Sequence, residues 1–164
     1  PHPHPPLPEG VKQILKNVLA QMLPGHKLLG ITLKEIEQGR AVLSMPYRPD
    51  LIGDPRSQRL HGGIIAALLD SAGGAAAITT LTSPEDMVSS IDIRVDYLEP
   101  GKPKDVLAEA VIIRSGSAIL VTNMKAWHPE TGEVICEGRG VYRVKRMKDI
   151  RPLRAADVDT EALI

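Results

Sequence analysis

One carboxylate stands in a long stretch of sequence that is otherwise uncharged. Residues 62–81 read GGIIAALLDSAGGAAAITTL, and Asp70 is the only ionisable residue among them. An ionised carboxylate in apolar surroundings is costly unless it is paired or hydrogen-bonded. Two interpretations are open on position alone. Asp70 is either a structural carboxylate bonded to a serine, an arginine or loop amides, or a catalytic base or nucleophile whose protonation is set by burial.

The tripeptide His61-Gly62-Gly63 lies directly before this stretch, where a loop becomes a helix. The free amides of a first helical turn, together with the positive end of the helix dipole, face any carbonyl or anionic oxygen placed there. Glycine lets a substrate approach the backbone, and such donors stabilise the oxyanion of an acyl transfer. In the alternative interpretation, the glycines only make a tight turn into the helix and His61 caps or packs.

The spacing of these two features constrains how they can act together. Asp70 follows His61 by nine residues, which on a helix is about 13 Å along the axis and two and a half turns, on the opposite side. If both serve one reaction, the acid must come from a second subunit whose helix runs antiparallel across a two-fold axis. This predicts an obligate homodimer with two shared sites. We expect such dimers to assemble into a homotetramer, although the sequence does not decide between the two states.

The elements that position these residues follow from the hydrophobic pattern. Residues 62–81 are apolar on nearly every side, which predicts a buried central helix. Residues 10–23 predict a surface helix that ends at Pro24-Gly25, and residues 48–60 predict an irregular loop. Strands are predicted at residues 28–36, 40–47, 88–98, 105–114, 118–128 and 133–144. The predicted fold class is therefore α+β, an antiparallel sheet of five or six strands wrapped around the central helix.

The same pattern divides the chain into three parts. Residues 1–9, with alternating prolines, predict a disordered N-terminal arm. Residues 10–144 predict one domain that includes the first helix. Residues 145–164 form a charged C-terminal tail without a clear period, and their structure is left open.

The composition limits the possible partners. Twenty basic residues balance twenty acidic ones, so the chain lacks the overall positive charge that gathers nucleic acid or anionic membrane. No apolar run reaches the length of a spanning helix, and the first residues lack the order of a signal peptide. Cys136 is the only cysteine, and no cluster has the spacing of a metal site. We therefore expect a soluble cytoplasmic protein without a bound metal.

Three segments carry a resemblance to a known family. HGGIIAALLDSAGGAAA, residues 61–77, resembles the helix signature of hotdog-fold thioesterases of the PaaI-like group, including the nine-residue step from His to Asp. SSIDIRVDYLEP, residues 89–100, is similar to the following strand of that family, and GEVICEGRGVYRV, residues 132–144, to its last strand. The resemblance covers roughly residues 28–144 and implies a hotdog fold.

The resemblance also implies an activity and roles for individual residues. The activity is hydrolysis of an acyl-CoA thioester, with no cofactor besides the CoA of the substrate. Asp70 would activate water or attack the thioester, and the Gly62 amide would hold the carbonyl oxygen. His61 would shape that site, and Ser90 would help to orient the nucleophile.

Two positions depart from the family pattern. Many members have an Asn before the HGG, whereas the nearest candidate here is Asp54, which is either its replacement or a turn residue. Ser117 stands where relatives often have a basic residue that meets the CoA phosphates. Arg56, Arg59 or Arg114 replaces that contact, or each is an ordinary solvated charge. The predicted substrate-binding residues are Gly63, Asp54, Arg56, Arg59, Arg114 and Ser117.

Two other functions compete with hydrolysis. A binding module would hold an acyl-CoA without turnover, and the departures at Asp54 and Ser117 make this alternative more plausible. A hotdog hydratase or dehydratase would need a histidine and a carboxylate placed differently, and the sequence has no such motif. His26, His128 and Cys136 have no adjacent base or nucleophile, which favours structural roles for them.

Overall fold

The computed structural model describes residues 6–19 and 23–146 of the chain. Short helices come first, then two strands and a small hairpin, then a long helix, and finally four long strands. The helices are α1 (Glu9–Asn17), α2 (Pro24–Leu29) and α3 (Gly62–Ile78), and the strands are β1 (Thr32–Glu37), β2 (Arg40–Met45), β3 (Ile52–Asp54), β4 (Arg59–Leu60), β5 (Met87–Tyr97), β6 (Val106–Ser115), β7 (Ile119–Trp127) and β8 (Val134–Lys145).

Six of the strands form one sheet in the order β1-β2-β6-β7-β8-β5, and each neighbouring pair is antiparallel. Helix α3 packs against this sheet, and β5 lies at one of its edges. The predicted α+β class and the antiparallel sheet around a central helix are confirmed. The four strands predicted after residue 84 are present with bounds within one residue of the prediction.

The core lies between α3 and the sheet. Leu68, Leu69 and Ala72 of α3 are fully buried, as are Leu43 and Ala108 on the strands that α3 contacts. Small residues on both surfaces let the helix backbone approach the sheet closely, which compensates for the low intrinsic helicity of a segment with four glycines. The side of α3 that carries Ala66, Asp70 and Gly74 is only half-buried in a single copy.

Helix α3 ends at Ile78, three residues before the predicted end at residue 81. The Thr79 and Thr80 hydroxyls donate to the carbonyls of Ala76 and Ala77. These hydroxyls satisfy carbonyls that the next helical turn would otherwise have used. The Gly39 amide, in the turn between β1 and β2, donates to the Thr79 hydroxyl and holds the helix end against the sheet.

The described part of the helix predicted at residues 10–23 is α1, and residues 20–22 of that prediction lie outside the described residues. The prediction missed α2, which Pro24 begins, because a proline at the first helical position loses no hydrogen bond. Leu28, predicted as the start of a strand, therefore lies in α2. The helix ends at Gly30 in the left-handed conformation, and the first strand begins only at Thr32.

The loop at residues 48–60 is more regular than predicted. Pro49–Leu51 form a 3-10 turn, and β3 pairs with β4 in a two-stranded hairpin. The Asp54 carboxylate closes this hairpin by accepting from the Arg56 amide and the Ser57 hydroxyl. Such Asx turns impose local order on segments that look irregular in sequence.

Several predictions fall wholly or partly outside the described residues. Residues 1–5 of the predicted arm and residues 147–164 of the tail are not described. In the described part of the arm, the Leu7 amide donates to Glu37 and Glu9 begins α1. No helix in the described ranges is long and apolar enough to cross a membrane.

Candidate active site

The Asp70 carboxylate receives two hydrogen bonds from the sheet. Ser90 Oγ on β5 donates to Asp70 Oδ1 at 2.8 Å, and the Tyr142 hydroxyl on β8 lies 3.2 Å from the same oxygen and 3.2 Å from the Asp70 main-chain carbonyl, between which it shares its proton. Ser90 and Tyr142 face each other as a cross-strand pair, so a single pair of residues in β5 and β8 supplies both donors. Both bonds fall on Oδ1, and no donor of the described part of the chain is within bonding distance of Oδ2.

Tyr142 is a site residue that the sequence analysis missed. Its side chain is fully buried, and it fits because Gly73 of α3 and Gly140 of β8 carry no side chain where its ring lies. Burial, and then the charge of Asp70, raise the pKa of the Tyr142 phenol far above its usual range, so the hydroxyl stays protonated and remains a donor. The alternation of β8 places Tyr142 on the buried face of the sheet. This could have indicated a polar partner for it, because a buried tyrosine hydroxyl needs one.

A β-bulge lies beside this contact. The register between β5 and β8 shifts between Ser90 and Asp92, so Ile91 is the extra residue of β5. Bulges bend a strand and turn its side chains, and they are frequent next to active sites. Pairing with β8 is regular on both sides of Ile91, so the bulge shifts which side chains of β5 face α3, with Ser90 before it and Ile93 after it.

At the start of α3, most of the available hydrogen-bonding groups are already used. His61 is the N-cap, and its Nδ1 accepts from the Gly63 amide at 3.0 Å. The His61 amide donates to Leu51 O at 2.9 Å, and the Tyr97 hydroxyl donates to Gly62 O at 2.6 Å. Among the described residues, no acceptor meets the Gly62 N–H. The capping and oxyanion interpretations of this tripeptide are thus compatible, since His61 caps through Gly63 and leaves Gly62 available.

Asp70 and Gly62 line different cavities of one copy. Asp70 borders an open cavity of about 450 Å³ beside Ala67 and Ile93, and a second one of about 250 Å³ toward α2. Gly62 borders a cavity of about 320 Å³ with Tyr97 and Pro100. The separation expected from nine helical residues is therefore present in the fold.

Apart from Gly63, whose amide donates to His61, the predicted binding residues fall into two groups. Asp54, Arg56 and Arg59 lie on the hairpin before α3, and Arg59 also lines the Gly62 cavity. The Ser57 hydroxyl and the Arg56 amide lower the pKa of Asp54. The carboxylate is thus bonded within its own turn, as in the turn-residue interpretation. Arg114 is exposed near the end of β6, and Ser117 is exposed in the turn that follows. Leu120, at the start of β7, pairs with both Ser115 and Tyr142. This second group therefore lies at the end of the sheet that carries Ser90.

Three further polar residues hold the fold together. His26 Nδ1 is 3.0 Å from Leu19 O. His128 is fully buried and bridges the Lys102 amide and Asp105 O. Burial raises the pKa of the Cys136 thiol to about 11, which leaves it unreactive near neutral pH. Within residues 6–19 and 23–146, no three His, Cys, Asp or Glu side chains are grouped as metal ligands.

Comparisons with known proteins point to one family. The profile of the family described as Thioesterase superfamily matches residues 58–135. A putative esterase of Halobacterium salinarum, VNG_1336C, is 34% identical over 125 residues, covering 72% of this chain and 82% of that protein. The medium/long-chain acyl-CoA thioesterase YigI of Escherichia coli is 28% identical over 148 residues, covering 83% of this chain and 95% of that protein.

Solved structures give the same picture of the fold. A Shewanella oneidensis protein related to the thioesterase superfamily superimposes with a TM-score of 0.72 at 31% identity, covering 83% of this chain and 96% of that chain. The Escherichia coli PaaI protein from the phenylacetic acid degradation operon superimposes with a TM-score of 0.71, covering 80% of this chain and 91% of that chain. Its 20% identity supports a shared fold alone.

Proposed function

The chain belongs to the thioesterase superfamily, and we propose that it hydrolyses acyl-CoA thioesters with Asp70 as the catalytic carboxylate. The observation that carries this proposal is the pair of hydroxyls on Asp70 Oδ1. They fix the carboxylate and leave Oδ2 for the reaction. The names of relatives such as YigI support acyl-CoA as the substrate. Within the superfamily, we infer a place in the PaaI-like group from the spacing of His61 and Asp70.

The proposed reaction begins with water held by Asp70 Oδ2. The carboxylate accepts a proton as the water oxygen bonds to the thioester carbon, and the negative charge moves to the carbonyl oxygen. The Gly62 N–H donates to that oxygen, and such a donor stabilises a transition state by about 3 kcal/mol. Collapse of the intermediate breaks the carbon–sulfur bond, and CoA leaves as the thiol after taking up the proton. Direct attack by Oδ2, followed by hydrolysis of the anhydride, is served by the same geometry.

The proposed site is shared between two copies. Asp70 and Gly62 line separate cavities in one copy, so a two-fold axis that sets two α3 helices antiparallel is the arrangement that joins them. Strand β5 supports this, because it is an edge strand on which Met87, Ile91 and Tyr97 are each more than half exposed. Exposed apolar side chains on an unpaired edge are typical of a subunit interface. We propose a homodimer that pairs further into a homotetramer, and a cytoplasmic location.

A panel of acyl-CoAs with a thiol-detecting reagent tests the activity. The proposal expects thiol release that saturates with substrate and is accompanied by stoichiometric free acid. An acyl-CoA that binds, as measured by calorimetry, without releasing thiol would instead identify a non-catalytic binding module.

Subunit complementation tests the shared site. Asp70→Asn and Gly62→Pro subunits, each with little activity as a homodimer, are unfolded and refolded together. Because a mixed dimer carries one site with both groups intact, we expect up to half of the wild-type activity per heterodimer. Differently tagged subunits allow the heterodimer to be purified. No recovery in purified heterodimers, or full activity in a monomer by light scattering, would place both groups in one copy.

A further inference from the structure

The smaller of the two cavities beside Asp70 has a polar end and an aliphatic end. Its volume is about 250 Å³. Asp70, Ser90 and the Tyr142 hydroxyl lie at the polar end, and Gly74 and then Ile78 continue along α3. Because Asp70, Gly74 and Ile78 are spaced by four residues, they lie on one face of the helix. The floor of the cavity therefore runs from the carboxylate toward the C-terminal end of α3.

The walls of this cavity come from outside the predicted helix signature. Leu19, after α1, and Leu23, before α2, form one wall together with His26, whose ring nitrogen is bonded to Leu19 O, and Val88 of β5 lies on another side. With Ile78, the leucines and Val88 make the surface away from Asp70 largely aliphatic. An apolar group would be buried there, whereas the thioester carbonyl would stay beside Asp70.

Two neighbouring glycines differ in what surrounds them. A methyl group on Gly73 would collide with the Tyr142 side chain, whereas a methyl group on Gly74 would meet nothing within 4 Å. Gly73 thus makes room for a residue of the protein itself. Gly74 leaves open space over the middle of the cavity floor.

We propose that this cavity, here called the tail cavity, holds the acyl chain of a medium-chain acyl-CoA of about eight to ten carbons, and that Gly74 sets the accepted chain length. The eight residues from Asp70 to Ile78 span about 12 Å, and an extended chain advances about 1.2 Å per bond, which gives about ten bonds. The volume gives a similar limit, because about eight groups of roughly 30 Å³ fill 250 Å³. This inference rests on the proposed role of Asp70.

The larger cavity is a poorer place for the tail. It borders the exposed edge of β5 at Ile91 and Asp92, the surface that the proposed second copy covers. The tail cavity is instead bounded by α2, α3 and Val88 of β5 within one copy.

A graded series at Gly74 tests the inference. Gly74→Ala, Gly74→Val and Gly74→Leu fill the tail cavity progressively, and Gly25→Leu, on the exposed side of α2 with open space around it, is the matched control. For the wild type, kcat/KM should rise up to about fourfold per methylene and level off near ten carbons. Gly74→Leu should lower kcat/KM for decanoyl-CoA by at least about tenfold and for acetyl-CoA by less than about twofold. Gly25→Leu should follow the wild type throughout.

Binding measurements separate this inference from the proposed hydrolysis. In an Asp70→Asn background, calorimetry should show tighter binding of decanoyl-CoA than of acetyl-CoA, and Gly74→Leu should abolish the difference. If Gly74→Leu abolishes the difference in affinity while the wild type releases no thiol, the tail cavity is supported and hydrolysis is refuted. If hydrolysis occurs but the Gly74 variants lower kcat/KM equally for all chain lengths, or for none, the tail cavity is refuted. Should Gly74→Leu not fold, as judged by thermal unfolding, the comparison rests on the alanine and valine variants.

Discussion

The two halves of the proposed site are held in different ways. At the Asp70 end, two side-chain hydroxyls reach one carboxylate oxygen from positions 20 and 72 residues away in sequence. At the Gly62 end, the peptide is held mainly by backbone and capping bonds of His61, and the Tyr97 hydroxyl adds a side-chain bond from 35 residues away. One half is an arrangement of side chains on a sheet, and the other is an arrangement of backbone at a helix start.

This difference determines how each half can be damaged. The support of Asp70 consists of separate hydroxyls, which can be removed one at a time without disturbing the backbone, so loss there should be graded. The Gly62 amide belongs to the main chain, so side-chain changes leave it in place and only proline removes it. Substitutions at the two ends should therefore give different patterns of loss.

The largest expected effect is at the acid itself. Asp70→Asn keeps the shape of the side chain but removes the charge that accepts a proton or attacks the thioester. We expect kcat to fall by about 10³-fold or more, with affinity for acyl-CoA changed only a few-fold. The matched control is Asp96→Asn, an exposed carboxylate of β5 that pairs with Arg94. Steady-state kinetics with the Kd measured by calorimetry checks this, and retention of wild-type kcat would assign the reaction to another group.

The amide should give the next largest effect. Gly62→Pro deletes the N–H, and the backbone accepts it because Gly62 is the first helical residue and His61, with φ −67° and ψ 124°, has the conformation favoured before proline. We expect kcat to fall by about 10²-fold. Gly62→Ala keeps the N–H and places a similar carbon against the Tyr97 ring, so it is the matched control. Equal losses in the two variants would show that crowding, rather than the missing donor, is responsible.

The sequence could predict what depends on local pattern. The uncharged run around Asp70 identified both α3 and the acid, since an isolated charge in such a run stands out without any knowledge of its neighbours. The strands after residue 84 could also be predicted from the sequence, because alternating hydrophobic residues and turn residues mark their bounds. His61 was placed at the helix start, although sequence could not distinguish capping from a role at the substrate carbonyl.

What the sequence could not predict depends on contacts between distant segments. Tyr142 meets Asp70 across 72 residues, and only the register of β5 against β8 brings Ser90 beside it. The bulge at Ile91 is likewise a property of the pairing and not of either strand. Pro24 was misread for another reason, since a proline is compatible both with ending one helix and with beginning the next.

The smallest effect is expected from Tyr142→Phe. This variant tests whether loss of activity at the Asp70 end is graded. It removes one of the two donors to Asp70 Oδ1 and leaves the ring packed against Gly73 and Gly140. A hydrogen bond to a charged group contributes about 1.5 kcal/mol, so we expect kcat to fall roughly tenfold with little change in KM. Ser90→Ala should act similarly.

Kinetics and thermal unfolding together distinguish positioning of the acid from general loss of packing. Tyr142→Phe and Ser90→Ala each remove one donor to Asp70 Oδ1 and leave the backbone in place, so kcat should fall while KM stays close to that of the wild type. The double variant should lose more kcat than either single variant, because both of these donors are then absent. Because burial and the charge of Asp70 raise the pKa of Tyr142 far above its usual range, the tyrosine itself should add no limb to the pH profile near neutral pH. A Tyr142→Phe variant that unfolds at a lower temperature but keeps the wild-type kcat would mean that Tyr142 only fills space, and the Asp70 end would then rest on Ser90 alone.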